Sequence, residues 1–474
     1  MRIPIKHFTG GEIGPQMGDR TRHACRHLEN FIPQIYGNVE RRPGTKLMYV
    51  STLPYDHQAI FVGEYPTLRA TTNQADPGLT HTTAISNFAE LQAMENDLAG
   101  NYYLTGDIDA SGETFDKIGT NVNGGRFTGT FDGCGYTISD LKIDTTRSYV
   151  GLFGCVAAPA KIANVTLEDC NVTGDDVTGS LIGMIRVSET GSVLVQNCHA
   201  SGYVNRDDGG GSYNYGGLIG QAYCGTADRT IEIYDCSSSC TVTQTSTDPG
   251  NQNVGGFVGA ITSNCTISNC YATGDVNTNY CGNEAAGFVG AIAVATEGQS
   301  GSITYCYATG NVYGENNAGG FCGRRNEGTT ISKCYATGNV IGETSSADNG
   351  TGGFIGENSG GEINNCYAWG DATDNGDGGD DCAGGFIGLE SSGGGSIVTN
   401  CYSIGTATAT TLVGGFVGHN APNITACFWD NEASGNATSD AGVGHMTLWM
   451  KTKPNYTGAG WDFDTIWYMP WEEV

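Results

Sequence analysis

The groups in this sequence that first invite a chemical reading are its acidic side chains. Carboxylates cluster at Asp175 with Asp176, at Asp207 with Asp208, and at Asp377, Asp380 and Asp381 with Glu390. Glycoside hydrolysis needs two carboxyl groups about 5–9 Å apart across a groove. Each cluster is more simply an acidic turn facing solvent. The run Asp371–Cys382 (DATDNGDGGDDC) offers many oxygen ligands, which is what calcium takes. It lacks the ordered spacing of an EF-hand or a nonapeptide calcium repeat. Calcium at Asp377, Asp380 and Asp381 is therefore the one metal the sequence raises, and no other cofactor is expected. Histidines are scattered, with no evident partner for His419 or His445. No HExxH, serine elbow or phosphate cradle occurs. No cysteines have CxxC spacing, which argues against zinc. These residues read as a body without catalysis.

The pattern that must position them is a repeat. Gly255-Gly256-Phe257-Val258-Gly259 is followed by Cys270-Tyr271-Ala272-Thr273-Gly274. The glycine half recurs at Gly151–Gly154, Ser180–Gly183, Gly217–Gly220, Gly256–Gly259, Gly287–Gly290, Gly320–Gly323, Gly353–Gly356, Gly385–Gly388 and Gly415–Gly418. The cysteine half recurs at Cys170, Cys198, Cys236, Cys270, Cys306, Cys334, Cys366, Cys401 and Cys427. A period of about 32 residues sustained this way marks stacked coils rather than separate domains. In register, Phe257, Phe288, Phe321, Phe354, Phe386 and Phe416 form one internal ladder. Cys270, Cys306, Cys334, Cys366 and Cys401 form another, as reduced thiols packed like small apolar groups. Asn197, Asn269, Asn365 and Asn400 precede ladder cysteines and suit a left-handed corner; stacked, they would form an amide ladder. Tyr271, Tyr307, Tyr335, Tyr367 and Tyr402 would line the outside and pack between coils. At about 4.8 Å per coil, nine coils rise about 43 Å.

Composition agrees. Among 474 residues there are 74 glycines and 18 cysteines, and the formal charge is −28. That charge argues against nucleic acid, which is held by basic patches. No segment has the 18 or so apolar residues of a membrane span. The start, MRIPIKHFTGGEIG, has no apolar signal core. Asn87 and Glu90 frame a helix whose stripe is Phe88, Leu91, Met94 and Leu98, ended at Gly100. It would close the first edge of the stack. Trp429, Trp461 and Trp467 give the last coil an aromatic cap, and no further domain is expected beyond it.

The divisions expected are a docking segment at 1–65, a linker at 66–84, a lead-in at 85–150, repeats at 151–430 and a cap at 431–474. The fold expected is all-β: a parallel, right-handed β-solenoid of about nine repeats with an extended N-terminal anchor. Wide spacing places insertions at Asn205–Asn214 and Thr243–Asn253, and the acidic run makes a third. Insertions in solenoids become surface loops, often on the binding side. Asp207, Asp208, Tyr213, Tyr215, Asp377, Asp380 and Asp381 are thus candidate receptor contacts.

Two resemblances extend this reading. Ile118-Gly119, Phe127–Gly133 (FTGTFDG), Gly151–Gly154 (GLFG) and the Asn-Cys-Tyr-Ala-Thr-Gly units resemble the GLUG-motif family over roughly residues 85–470. That resemblance implies a β-helical adhesion body and no enzyme. The N-terminus is similar to the signature of tail-nozzle and related tail proteins of short-tailed phages. The matching runs are Phe8–Pro15 (FTGGEIGP), Gly18-Asp19-Arg20, Leu28–Phe31 (LENF) and Arg41–Thr45 (RRPGT). It implies a virion protein that docks on a tail nozzle or adaptor through Phe8, Glu12, Arg20, Asn30, Phe31, Arg41, Arg42 and Pro43. The expected protein is then a homo-oligomeric tail appendage, assembled in the host cytoplasm, that contacts a host-surface glycan or protein. A bacterial surface adhesin, a tail-spike glycan hydrolase or lyase, and a purely structural tail decoration are the alternatives.

Overall fold

In the computed structural model the described residues are 78–469, apart from short stretches, together with five short strands before residue 69. The stretches left out are 146, 189–190, 207–212, 226–228, 245–251, 262–263, 279–283, 294–300, 327, 344–348, 377–380 and 392–394. The chain divides into two units, Met1–Ala70 with Tyr468–Val474, and Thr71–Trp467.

In the first unit Ile5–Phe8 pairs antiparallel with Gly11–Ile13, and Phe31–Pro33 with Val39–Arg41. Phe8 and Glu12 therefore lie on one hairpin, while Phe31 and Arg41 face each other across the second. Arg20, Asn30, Arg42 and Pro43 lie outside the described residues.

The second unit is a parallel β-solenoid. One coil shows the rule. Val258–Ile261 makes the first strand, Cys265–Ser268 the second, Tyr271–Ala272 with Val276–Asn277 the third side, and Glu284–Ala286 the fourth. Each pairs in phase with its counterpart one coil on: Val258 with Val289, Ile267 with Ile303, Tyr271 with Tyr307, Val276 with Val312, Ala285 with Ala318. The first strands stack into a nine-stranded sheet, the second into a twelve-stranded one and the fourth into an eight-stranded one. The paired strands thus bond along the stack, so that among the described residues their sheets have open edges only at the two ends.

The predicted columns are present. Phe257, Phe288, Phe321, Phe354, Phe386 and Phe416 are fully buried. Their rings stack at 4.7–4.8 Å with planes within 13° of each other. That spacing is the coil rise itself. Leu152, Leu181 and Leu218 continue the column in the first coils. Glycine is required beside the rings because backbones touch there: a Cβ on Gly287 would lie 2.3 Å from the Gly320 carbonyl oxygen.

The ladder cysteines are buried and free of disulfides. Each thiol does a polar task as well. The Cys270 thiol donates to the Ser268 carbonyl at 3.3 Å and its sulfur accepts the Cys236 amide at 3.4 Å. Burial pushes the thiols of Cys198, Cys236, Cys270, Cys306 and Cys401 well above their ordinary range. The corner before them is left-handed at Asn164, Asn197, Asn269, Asn365 and Asn400, with φ of 51–57°. At the first coils the amide ladder forms, with Asn197 donating to Asn164 and Asn164 to Asp132, both at 2.9 Å. Asp235, Tyr305 and Lys333 take the later corners and interrupt it.

The ends differ from simple expectation. Asn87 caps the helix Phe88–Ala93, but the Glu90 carboxylate reaches back to the Ser86 amide, one residue earlier than a reciprocal cap requires. A 3₁₀ turn, Met94–Asn96, carries Met94 of the apolar stripe, and Leu98 lies just beyond it. At the other end two further short helices, Thr447–Met450 and Lys453–Gly458, join the tryptophans. Trp467 lies against Tyr367 and Tyr402 and donates to the Asn365 side chain at 3.0 Å. Tyr367 and Tyr402 are therefore buried, and the outward stripe is reduced to the half-buried Tyr271, Tyr307 and Tyr335.

Two substitutions test the columns by urea unfolding. Phe321→Ala should cost about 3–5 kcal/mol, the range for truncating a buried aromatic ring. Gly287→Ala should cost about 1–3 kcal/mol or more, because its neighbour is backbone and cannot turn aside.

Candidate functional site

From Lys161–Ala163 onward, two of the four corners have a fixed length. The turn into the third side takes two residues, as at Asn269-Cys270, and so does the turn into the first strand, as at Gly256-Phe257; the earlier turn from Asp132 to Thr137 is longer. The other two corners vary. Between the third side and the fourth strand the chain runs from Arg206 to Tyr213, Thr243 to Gln252, Asn277 to Glu284, Gly342 to Thr351 and Asp374 to Cys382. All three insertions read from sequence fall at this one corner. It is the candidate functional site.

Its rim is built by strand residues that alternate inward and outward. Arg206 and Tyr213 both turn inward, and the guanidinium carbon sits 4.0 Å from the ring centre. Such a stacked cation is stabilised by the ring's quadrupole. Tyr215 is also buried, and its hydroxyl donates to the Asp175 carbonyl at 2.7 Å. Burial raises that phenol well above its ordinary range. Tyr213 and Tyr215 are therefore core residues, which corrects their reading as receptor contacts. The strands extend through Arg206 and resume at Tyr213, so the insertion is shorter than the glycine-rich composition implies. Outward positions are held by Asn205 and Asn214, which make side-chain bonds to Asn171 and Asn253.

Asp381 is corrected in the same way. It is 1 % exposed, and its carboxylate accepts from the Thr410 hydroxyl. Asp374 is buried beside it and accepts from the Gly376 amide at 3.0 Å. Asp207, Asp208, Asp377 and Asp380 lie outside the described residues. Glu390 is not available as a groove carboxylate: it is buried and clamped by Asn358 at 2.7 Å and Ser396 at 2.6 Å.

Sequence reasoning missed a charged seam beside this corner. Arg324 bonds Glu357 at 3.1 Å and approaches Glu284 at 3.6 Å. The Asn317 side-chain amide donates to Glu357 at 2.9 Å. Burial is the main cause that lifts the Glu284 carboxyl to about 7; Arg324 opposes the rise and Glu357 adds to it. One register position inward, Arg325, Asn358 and Glu390 stack as a polar column inside the core. Arg325 is fully buried, donates to Asn358 at 3.0 Å, and is held by burial at about 10. The signal was present: Arg324-Arg325, Glu357-Asn358 and Leu389-Glu390 occupy the same place after successive Gly-Phe-x-Gly motifs.

The family described as the GLUG motif matches residues 250–277. Halomucin of Haloquadratum walsbyi is 31% identical over 276 residues, which is 56% of this chain and 3% of that protein. A protein named immunoglobulin A1 protease from Streptococcus sanguinis is 28% identical over 249 residues, 46% of this chain and 12% of that protein. Another of that name from Streptococcus pneumoniae is 27% identical over 274 residues, covering 52% of this chain and 14% of that protein. The chain thus spans a small fraction of these relatives. Among solved structures, one titled a putative immunoglobulin A1 protease from Bacteroides ovatus is 19% identical. It covers 77% of this chain and 84% of that chain, with a TM-score of 0.34.

A pH test follows from Glu284. Its folded pKa lies above the ordinary 4.5, so the fold favours the protonated acid. The stability it contributes is full below about pH 4.5 and is lost as pH rises through about 7. Glu284→Gln should therefore stabilise the protein at pH 8 by roughly 2–3 kcal/mol and leave it little changed at pH 4, measured by denaturant titration at both values.

Proposed function

We propose that this GLUG-motif β-solenoid is an adhesion body. Its coils are a rigid scaffold, and the variable corner between the third side and the fourth strand presents loops to a molecule on a cell surface. The observation that carries this reading is the sorting of lengths. Two corners keep two residues in every coil from Lys161–Ala163 onward, while the insertions collect at others. Loops held on a fixed scaffold are where binding residues concentrate. The contacts then come from within 207–212, 245–251 and 377–380, and not from the buried strand ends.

The N-terminal resemblance adds a location. Residues 1–65 dock on a phage tail nozzle or adaptor, and the protein is a homo-oligomeric appendage of the virion, assembled in the host cytoplasm. The second reading, a bacterial surface adhesin, is favoured by the relatives, whose matched regions cover about half of this chain. Their names carry no activity to this chain. Peptide mass spectrometry of purified virions and of washed cell surfaces separates the two readings.

Replacing 207–212 and 377–380 with Gly-Ser linkers of equal length tests the adhesive corner. With thermal unfolding unchanged, binding to host cells should fall at least tenfold; undiminished binding refutes the assignment.

A further inference from the structure

Among the sixteen described cysteines Cys134 alone is exposed. It belongs to no ladder. It sits in the turn after Thr130–Asp132, in the left-handed conformation with φ of 51°. Its amide donates to Asp132 Oδ1 at 2.8 Å, and the Asn164 side-chain amide donates to the same oxygen at 2.9 Å. The other oxygen, Oδ2, meets His81 Nε2 at 2.6 Å. The His81 ring is held in place by stacking on Tyr103 at 4.8 Å. One nitrogen, one carboxylate oxygen and one sulfur, from two places in the chain, thus lie within 4.8 Å of one another.

We propose that His81, Asp132 and Cys134 bind one zinc ion, with the fourth position open to water. The donor set suits that ion: imidazole, carboxylate and thiolate are its three usual protein ligands. With zinc–ligand bonds of about 2.0–2.3 Å, a tetrahedral site spaces its donors about 3.3–3.8 Å apart. The present cluster brackets that spacing and needs only small side-chain movements. Asp132 is already oriented by its outer partners, since Oδ1 is anchored by Cys134 and Asn164 while Oδ2 is turned to the cluster. Such anchoring is typical of ligating carboxylates.

A nucleophilic cysteine is the competing use of these groups, and the electrostatics oppose it. Burial and the nearby Asp132 raise the Cys134 thiol, whereas an activated thiol is lowered. A divalent cation between them turns the same neighbours into favourable partners, because coordination drives the thiol to thiolate.

The location gives the ion a task. Thr83–Ile85 is the outermost strand of the twelve-stranded sheet. Among the described residues its far edge has no sheet neighbour, and such edges fray or recruit foreign strands. His81 lies two residues ahead of that strand, and Asp132 and Cys134 lie at the end of the second strand inward. Zinc would staple the first coil to the one beyond its neighbour.

The test uses the full chain, reduced and stripped with a chelator, titrated with cobalt(II) and then zinc. One cobalt per chain should bind with a near-ultraviolet thiolate-to-cobalt band, and one zinc should displace it. Cys134→Ser should abolish the band, and Cys134→Ser and His81→Ala should each weaken zinc binding at least tenfold. Zinc at about a hundredfold excess over its dissociation constant should raise the wild-type Tm by about 3 °C and leave C134S unmoved. Wild-type protein without the thiolate band, or equal zinc affinity in C134S, overturns the proposal. Both substituted side chains are exposed, and the wild-type titration decides the matter even where a variant misfolds.

Discussion

Everything in the second unit follows from one constraint: each coil must lie on the next with the same residue above the same residue. The amides of one coil find their carbonyls in the neighbour, as Phe257 does in Phe288 and Phe288 in Phe321. A coil that slipped by one residue would turn its interior outward. The stacked phenylalanines hold that phase, because rings at the coil rise interact well only when superposed. The glycines beside them permit it, since a Cβ at Gly256, Gly287, Gly320, Gly353 or Gly385 would meet the backbone of the next coil. Stability and register therefore come from the same few positions.

The constraint also explains the polar interior. When identical positions stack, a charge in one coil must be answered by the coil above or below. Arg325 is answered by Asn358, and Asn358 by Glu390. Each group bonds its neighbour, which offsets part of a burial cost of several kcal/mol per ion. Glu284 shows the same rule failing in part. It has Arg324 on one side but Glu357 nearby, and burial leaves its acid form favoured. Charged columns are thus confined to a few coils, while the phenylalanine column runs on.

Legibility in the sequence divides along the same line. Whatever repeats could be read: the buried phenylalanines, the cysteine ladder and the asparagine corners all stand where the spacing places them. What breaks the repeat was harder. Tyr213 and Tyr215 looked like loop residues because glycines surround them, yet strand alternation turns both inward. Asp381 looked like part of an acidic loop, but it already belongs to the returning strand's approach and is covered. Tyr367 and Tyr402 could not be told from Tyr271 by local sequence, because the Trp467 that covers them lies beyond residue 460.

The His81–Asp132–Cys134 cluster is the extreme case. Spacing rules for zinc look for ligands a few residues apart, and the absence of CxxC argued against the metal. In a solenoid, proximity runs along the stack, so neighbours in space are separated by one coil or two in sequence. Asp132 meets Asn164 and His81, which stand 32 and 51 positions away. The cysteine ladder makes the same point from the other side. Its thiols are close in space, separated by about a repeat in the chain, and buried, whereas Cys134 is exposed next to a carboxylate and an imidazole. Chemistry in this architecture is therefore found by reading down the columns and across the first coils, where the repeat has not yet settled into phase.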